Sequence, residues 1–110
     1  MLIRDELPDD VLNISRIHHA AFKGHPAHAP GAGPVEHRIV ERLRLSGALT
    51  LSLLAETGGR PVGHLALSPA VVGEARSGWF LLGPLGVLPG CQGRGVGSAL
   101  ARASLDRMRL

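Results

Sequence analysis

The chain has 110 residues, 45% hydrophobic and 19% charged, and its net charge of +3 comes from a basic side of twelve residues, nearly all arginine. This describes one ordinary globular domain and leaves no room for a second; it excludes a disordered or fibrous protein. Phe22, Trp79 and Phe80 are the only aromatic side chains and none is interleaved with a basic cluster, which argues against a nucleic-acid stacking surface and favours a small anionic ligand. Cys91 is the single cysteine, so no internal disulfide can form. The acidic start, with Arg4 among Asp5, Glu6, Asp9 and Asp10, is unlike a signal peptide, and no apolar run reaches membrane-spanning length. A cytoplasmic protein without a membrane partner is expected.

Residues 2–4 read as a short first strand. Pro8, Asp9 and Asp10 then suit a helix start, either aspartate being able to cap it. Val11, Ile14, Ile17 and Ala21 follow at helical spacing, which predicts a helix over 10–23. Residues 24–33 are a loop rich in Pro, Gly and His. Pro34 suits the start of a second helix with Val35, Ile39 and Leu43 as its buried stripe and Gly47 as its stop. Residues 49–56 alternate Leu49, Leu51 and Leu53 against Thr50 and Ser52, a strand pattern, and Gly58-Gly59 turns the chain into a second strand over 61–69. Residues 79–88 are nearly all apolar, as in a central strand covered on both faces, with Trp79 and Phe80 in the core. Gly83 and Pro84 within that run predict a bulge, because Pro offers the ladder no N–H. Residues 89–94 form a loop, and 95–110 a helix with Val96, Leu100, Ala103 and Ala101, Leu105, Met108 on its inner side. The order is β-α-α-β-β-β-α, and the apolar last strand lacks a neighbour on one side.

The informative stretch is Leu85-Gly86-Val87-Leu88-Pro89-Gly90-Cys91-Gln92-Gly93-Arg94-Gly95-Val96-Gly97-Ser98. It reads as a strand, a glycine-rich turn and a helix N-terminus, where unpaired N–H groups and the positive end of the helix dipole attract phosphate. Gly93, Gly95 and Gly97 clear side chains from those N–H groups, and Arg94 adds a cation. A Walker loop is excluded because no lysine follows the glycines. A dinucleotide fingerprint fits poorly, since residues 88–92 intervene between strand and glycines and the acidic ribose partner is missing. The pattern Q/R-x-x-G-x-G/A is met by Gln92, Gly95 and Gly97.

This segment resembles the GNAT superfamily of N-acetyltransferases, and Gly83-Pro84-Leu85-Gly86-Val87-Leu88-Pro89 is similar to its bacterial YhbS-like branch. The likeness extends to Ile3-Arg4, Glu41-Arg42-Leu43-Arg44 and Val62-Gly63-His64-Leu65-Ala66. The resemblance implies an α/β fold: a GNAT-like mixed sheet flanked by helices, with residues 1–110 forming the N-terminal and acetyl-CoA-binding part of one domain and the C-terminal part absent. It implies acetyl-CoA as co-substrate, its pyrophosphate on the N–H groups of Gly93, Arg94, Gly95, Val96, Gly97 and Ser98, with Gln92 as the first residue of the cofactor-binding motif. Pantetheine would pair with Leu85, Gly86 and Val87, and the Val87 N–H would polarise the thioester carbonyl. The acceptor would be a primary amine of a small molecule or protein, without metal. The chain departs from the family pattern at Cys91, where an aromatic or basic residue is common, and in having no tyrosine to protonate the leaving thiolate. A fragment that binds CoA or dimerises without turnover is the alternative, and the open edge at 79–88 predicts self-association into a homodimer.

Among other candidates, His64 lies on the strand facing the expected cleft. It could be a base for the amine, although a hydrogen-bonded strand histidine is the commoner role. His18 and His19 are adjacent on a helix and cannot share one face, which argues against a paired metal site. His25 and His28 lack the cysteine or carboxylate partners of a metal site, His37 reads as a solvated helix residue, and Cys91 has no base to activate it.

Overall fold

The computed structural model describes residues 1–23, 35–70 and 79–109. Four strands, β1 (Leu2–Asp5), β2 (Leu51–Thr57), β3 (Arg60–Pro69) and β4 (Phe80–Val87), form one antiparallel sheet in that order. Helices α1 (Val11–Phe22) and α2 (Glu36–Ser46) cover one face and α3 (Val96–Met108) the other. The element order is the expected β-α-α-β-β-β-α. Among the described residues, no helix is long and apolar enough to cross a membrane.

The β2–β3 hairpin turns at Gly58 and Gly59, whose φ values of 59° and 77° match the tight turn that the right-handed twist of paired strands favours. With both faces covered, the central strands bury consecutive residues. Leu53, Ala55 and Leu65 pack beneath α3, while Leu54 and Ala66 meet Ile14, Ile17 and Val40 from α1 and α2. The simple alternation expected for 49–56 therefore gives way to a run of three buried residues, Leu53, Leu54 and Ala55.

Four sequence expectations need correction. In α2 the buried residue is Val40, supported by half-buried Leu43, whereas Val35 and Ile39 are each 42% exposed. The helix meets the sheet along a narrow i, i+3 seam, turned one position from the expected stripe. In α3 the inner row is Val96, Leu100 and Ser104; Leu105 lies outside, because one face alone meets the sheet. Asp10 holds the N-cap position of α1, but its carboxylate bonds no helix N–H and turns instead to Arg4, Asn13 and the Leu7 N–H. Finally, among the described residues β4 is the edge strand that its missing neighbour implied, but its first half is not covered on both faces and Trp79 and Phe80 are not in the core. Trp79, Phe80, Leu81 and Leu82 are exposed, since the helices cover only its second half.

The expected bulge is present. Pairing moves from Leu65↔Leu85 to Leu67↔Leu82, so Gly83 and Pro84 together oppose Ala66.

The Asp10 carboxylate ties three elements together. It lies 2.6 and 3.0 Å from the Arg4 guanidinium and accepts the Leu7 N–H at 2.8 Å, while Arg4 also reaches Glu56 on β2 at 2.8 Å. Bonding to Arg4 holds the Asp10 carboxyl well below the usual carboxylate range, against the opposing effect of burial. Because its folded-state pKa is depressed, the stability it contributes is full above about pH 4 and is lost as pH falls below that value. Asp10→Ala should cost about 3 kcal/mol at pH 7 in denaturant titrations, and the variant should lose less stability than the parent chain between pH 5 and pH 3.

Candidate functional site

The site grows from the last residues of β4. The Leu88 N–H bonds the Val62 carbonyl at 2.8 Å. Successive amides of a strand point to opposite edges, so Leu88 and Gly86 face β3 while Leu85 and Val87 present their N–H groups to the open edge. A short 3-10 turn, Pro89–Cys91, then leads into the glycine-rich segment. Gln92 Nε2 donates to the Val87 carbonyl at 3.0 Å, fastening the turn to the strand end.

Gly93 and Gly95 have φ values of 74° and 82°, a region that side-chain-bearing residues rarely adopt, and a Cβ on either would meet nothing within 4 Å. The Gly95 carbonyl accepts the first helical bond of α3, from Ala99 N–H at 3.0 Å. Among the described residues no side chain caps this end, so the Val96, Gly97 and Ser98 N–H groups stand at the positive pole of the helix without helical partners. They border a cavity of about 270 Å³, walled by Val87, Cys91, Gln92, Gly93, Gly95, Val96, Gly97 and Ser98. An uncapped hollow at the positive end of a helix suits a phosphate-bearing ligand.

Of the residues singled out from sequence, Val87, Gln92, Gly93, Gly95, Val96, Gly97 and Ser98 converge on that cavity. Arg94 is exposed beside it, and Leu85 packs its side chain beneath α3 with its amide outward. Gly86 has a different environment. It is buried against α1, where a Cβ would lie 2.7 Å from His18 Nδ1 and 3.4 Å from the Ala21 Cβ.

His64 is not on a cleft wall. It is fully buried, with Nδ1 2.7 Å from His18 Nε2 and Nε2 2.7 Å from Ser52 Oγ. It therefore has the hydrogen-bonded strand role. Burial pushes both imidazoles down from their ordinary pKa, with mutual repulsion adding to the effect at His64, so both are neutral at pH 7. His18 was missed as a site candidate, although its place four residues after Ile14 sets it on the apolar stripe of α1. Cys91, read as a bystander, is half-buried on the cavity wall. His19 faces out and its ring lies 5.9 Å from that of His37, whose Nδ1 is buried rather than solvated. His25 and His28 lie outside the described residues. Among the described residues no group of three or more His, Cys, Asp or Glu side chains could hold a metal. A second hollow of about 260 Å³ lies along α2 at Val35, Arg38, Ile39 and Arg42.

A strand with outward amides running into an uncapped, glycine-entered helix is a geometry suited to a phosphate-bearing ligand. Residues 14–110 match the family model for the Acetyltransferase (GNAT) family, and the chain belongs to that family. It is 42% identical to a GNAT family acetyltransferase from Brucella melitensis solved in complex with acetyl-CoA, with a TM-score of 0.87 over 96% of this chain and 66% of that one. It is 31% identical to YhbS from Escherichia coli, solved with CoA, with a TM-score of 0.82 over 96% of this chain and 54% of that one. Over 62 residues it is 44% identical to YjhQ, an uncharacterized N-acetyltransferase of Escherichia coli, a match spanning 54% of this chain and 34% of YjhQ. The chain thus spans less than two thirds of the length of these relatives.

The Gly86 contact yields a direct test. Gly86→Ala should force the His18 ring or α1 away from the sheet and lower stability by about 1–3 kcal/mol in chemical denaturation.

Proposed function

We propose that the protein is an N-acetyltransferase that uses acetyl-CoA to acetylate a primary amine of a small molecule or protein. The observation that carries this is the uncapped start of α3, entered through two left-handed glycines, beside the outward N–H of Val87. The likeness to chains solved with acetyl-CoA and CoA supports it.

The cradle fits the ligand chemistry, since the open space above Gly93 and Gly95 leaves the adjacent N–H groups approachable. In this reading the N–H groups from Gly93 to Ser98 bind the pyrophosphate and Arg94 adds a cation at the mouth. The outward amides of Leu85 and Val87 pair with pantetheine as another strand would. The acetyl thioester supplies the activated acyl group. The Val87 N–H donates to its carbonyl oxygen, where negative charge develops on attack; one such donor is worth about 3 kcal/mol of transition-state stabilisation. Gly86 and Gln92 act by position: Gly86 admits α1, and Gln92 holds the turn against the strand. The amine must be neutral to attack, and a thiolate departs.

A second reading, a CoA-binding or dimerising fragment without turnover, is favoured by the exposed apolar half-strand at Trp79, Phe80, Leu81 and Leu82. Release of free thiol from acetyl-CoA in the presence of amines separates the two: turnover supports transfer, and binding without thiol release supports the fragment. Calorimetry tests the cradle common to both. Gly95→Asp places a negative side chain at a left-handed position beside the cavity and should weaken CoA binding at least tenfold, or about 1.4 kcal/mol, with circular dichroism unchanged. Undiminished affinity would refute the cradle.

A further inference from the structure

Beneath α1 a continuous line of polar side chains runs from the buried His18 and His64 through half-buried Ser52 to half-buried Glu6 and Arg44. Its direction is fixed from the outer end. Glu6 is a carboxylate paired with Arg44 at 2.6 Å, so it can only accept hydrogen bonds. Ser52 has a single hydroxyl hydrogen and gives it to Glu6 Oε1 at 2.8 Å. Its oxygen must then accept from His64 Nε2–H at 2.7 Å. A neutral imidazole carries one ring hydrogen, so His64 Nδ1 is bare and accepts from His18 Nε2–H at 2.7 Å. His18 is left with a bare Nδ1. Among the described residues that atom is buried without a hydrogen-bond partner and rests on Gly86, the residue between the outward amides of Leu85 and Val87.

We propose that His18, His64, Ser52 and Glu6 form a proton relay, whose inner end at His18 Nδ1 takes, through bound water, the proton that an ammonium acceptor must lose. This rests on the acetyl-transfer reading above. The ammonium N–H bond breaks and a hydrogen forms on His18 Nδ1. His18 Nε2–H passes to His64 Nδ1, His64 Nε2–H passes to Ser52 Oγ, and the Ser52 hydroxyl hydrogen passes to Glu6. The net products are a neutral amine and a protonated Glu6, whose side chain is 18% exposed and returns the proton to solvent. Neither ring becomes a cation, which burial would oppose. His18 receives the proton; His64, Ser52 and Glu6 are positioning residues that keep its lone pair free. The charged and titratable groups facing the pair are Glu36 and His37 from α2 at His18, with Arg44 and Asp10 at His64.

The test is two-bond proton–nitrogen NMR of histidine-labelled full chain at pH 7. Both His18 and His64 should show hydrogen on Nε2 alone. Ser52→Ala and Glu6→Gln should convert His18 to mixed tautomers, and Ser52→Thr, which keeps the hydroxyl, should preserve the parent pattern. Packing alone would not move a tautomer across that line of side chains. Hydrogen on His18 Nδ1 in the parent, or a His18 tautomer indifferent to Ser52→Ala or to Glu6→Gln, overturns the relay. In acetyl-transfer assays Ser52→Ala should lower kcat/KM about tenfold below the pKa of the amine, and the deficit should close above it with CoA affinity unchanged. A loss equal at every pH overturns the catalytic role. A parent chain with the stated tautomers but no transfer refutes acetyl transfer and leaves the line of hydrogen bonds standing.

Discussion

Which way each amide of β4 points is decided by its pairing with β3. The bond from Leu88 N–H to the Val62 carbonyl sets the phase, turning the amides of Leu85 and Val87 toward the open edge and that of Gly86 toward β3, while the side-chain position of Gly86 meets α1. A one-residue slip would exchange these roles, placing Gly86's amide at the edge and forcing a larger side chain against His18. The same phase brings Val87 to the strand end, where Gln92 fastens the turn that aims α3 at the cavity. The two halves of the site share one strand register.

The sheet between the helices has two unlike faces near β4. On the α3 side an apolar cluster of Leu53, Leu65, Val96 and Leu100 holds the uncapped helix start in place. On the α1 side the core is interrupted by the line of polar groups ending at His18. Burying two imidazoles is costly unless their hydrogen bonds are made, and three of the four ring nitrogens are satisfied. The fourth faces the strand whose neighbouring amides open onto the edge. A core selected for stability alone would have filled this space with apolar side chains.

Much of this was legible in the residues. The element order, the glycine hairpin, the bulge at Gly83-Pro84 and the glycine-rich entry to α3 all follow from local chemistry, because proline, glycine and helix entry act over a few positions. The burial of α2 was not legible, since a short amphipathic helix offers Val35, Ile39 and Leu43 or Val40 and Leu43 as seams and only the opposing sheet chooses. The apolar 79–88 run suggested a covered strand, yet hydrophobicity does not say which neighbours are present. The His18–His64 contact joins positions 46 residues apart, and no spacing rule reaches that far. Gly86 was read with Leu85 and Val87 as backbone for pantetheine to pair with; the contact of its side-chain position with His18 had no signal in the sequence.

The central claim is that the α3 entrance and the outward Val87 amide grip one phosphate-bearing ligand together. Amide proton–nitrogen spectra of the labelled chain titrated with coenzyme A address this most directly. The largest shifts are expected at Val87 and at Gly93 through Ser98, saturating with a single dissociation constant. Shifts centred on the α2 hollow at Arg38 and Arg42, or none at the α3 entrance, would contradict it.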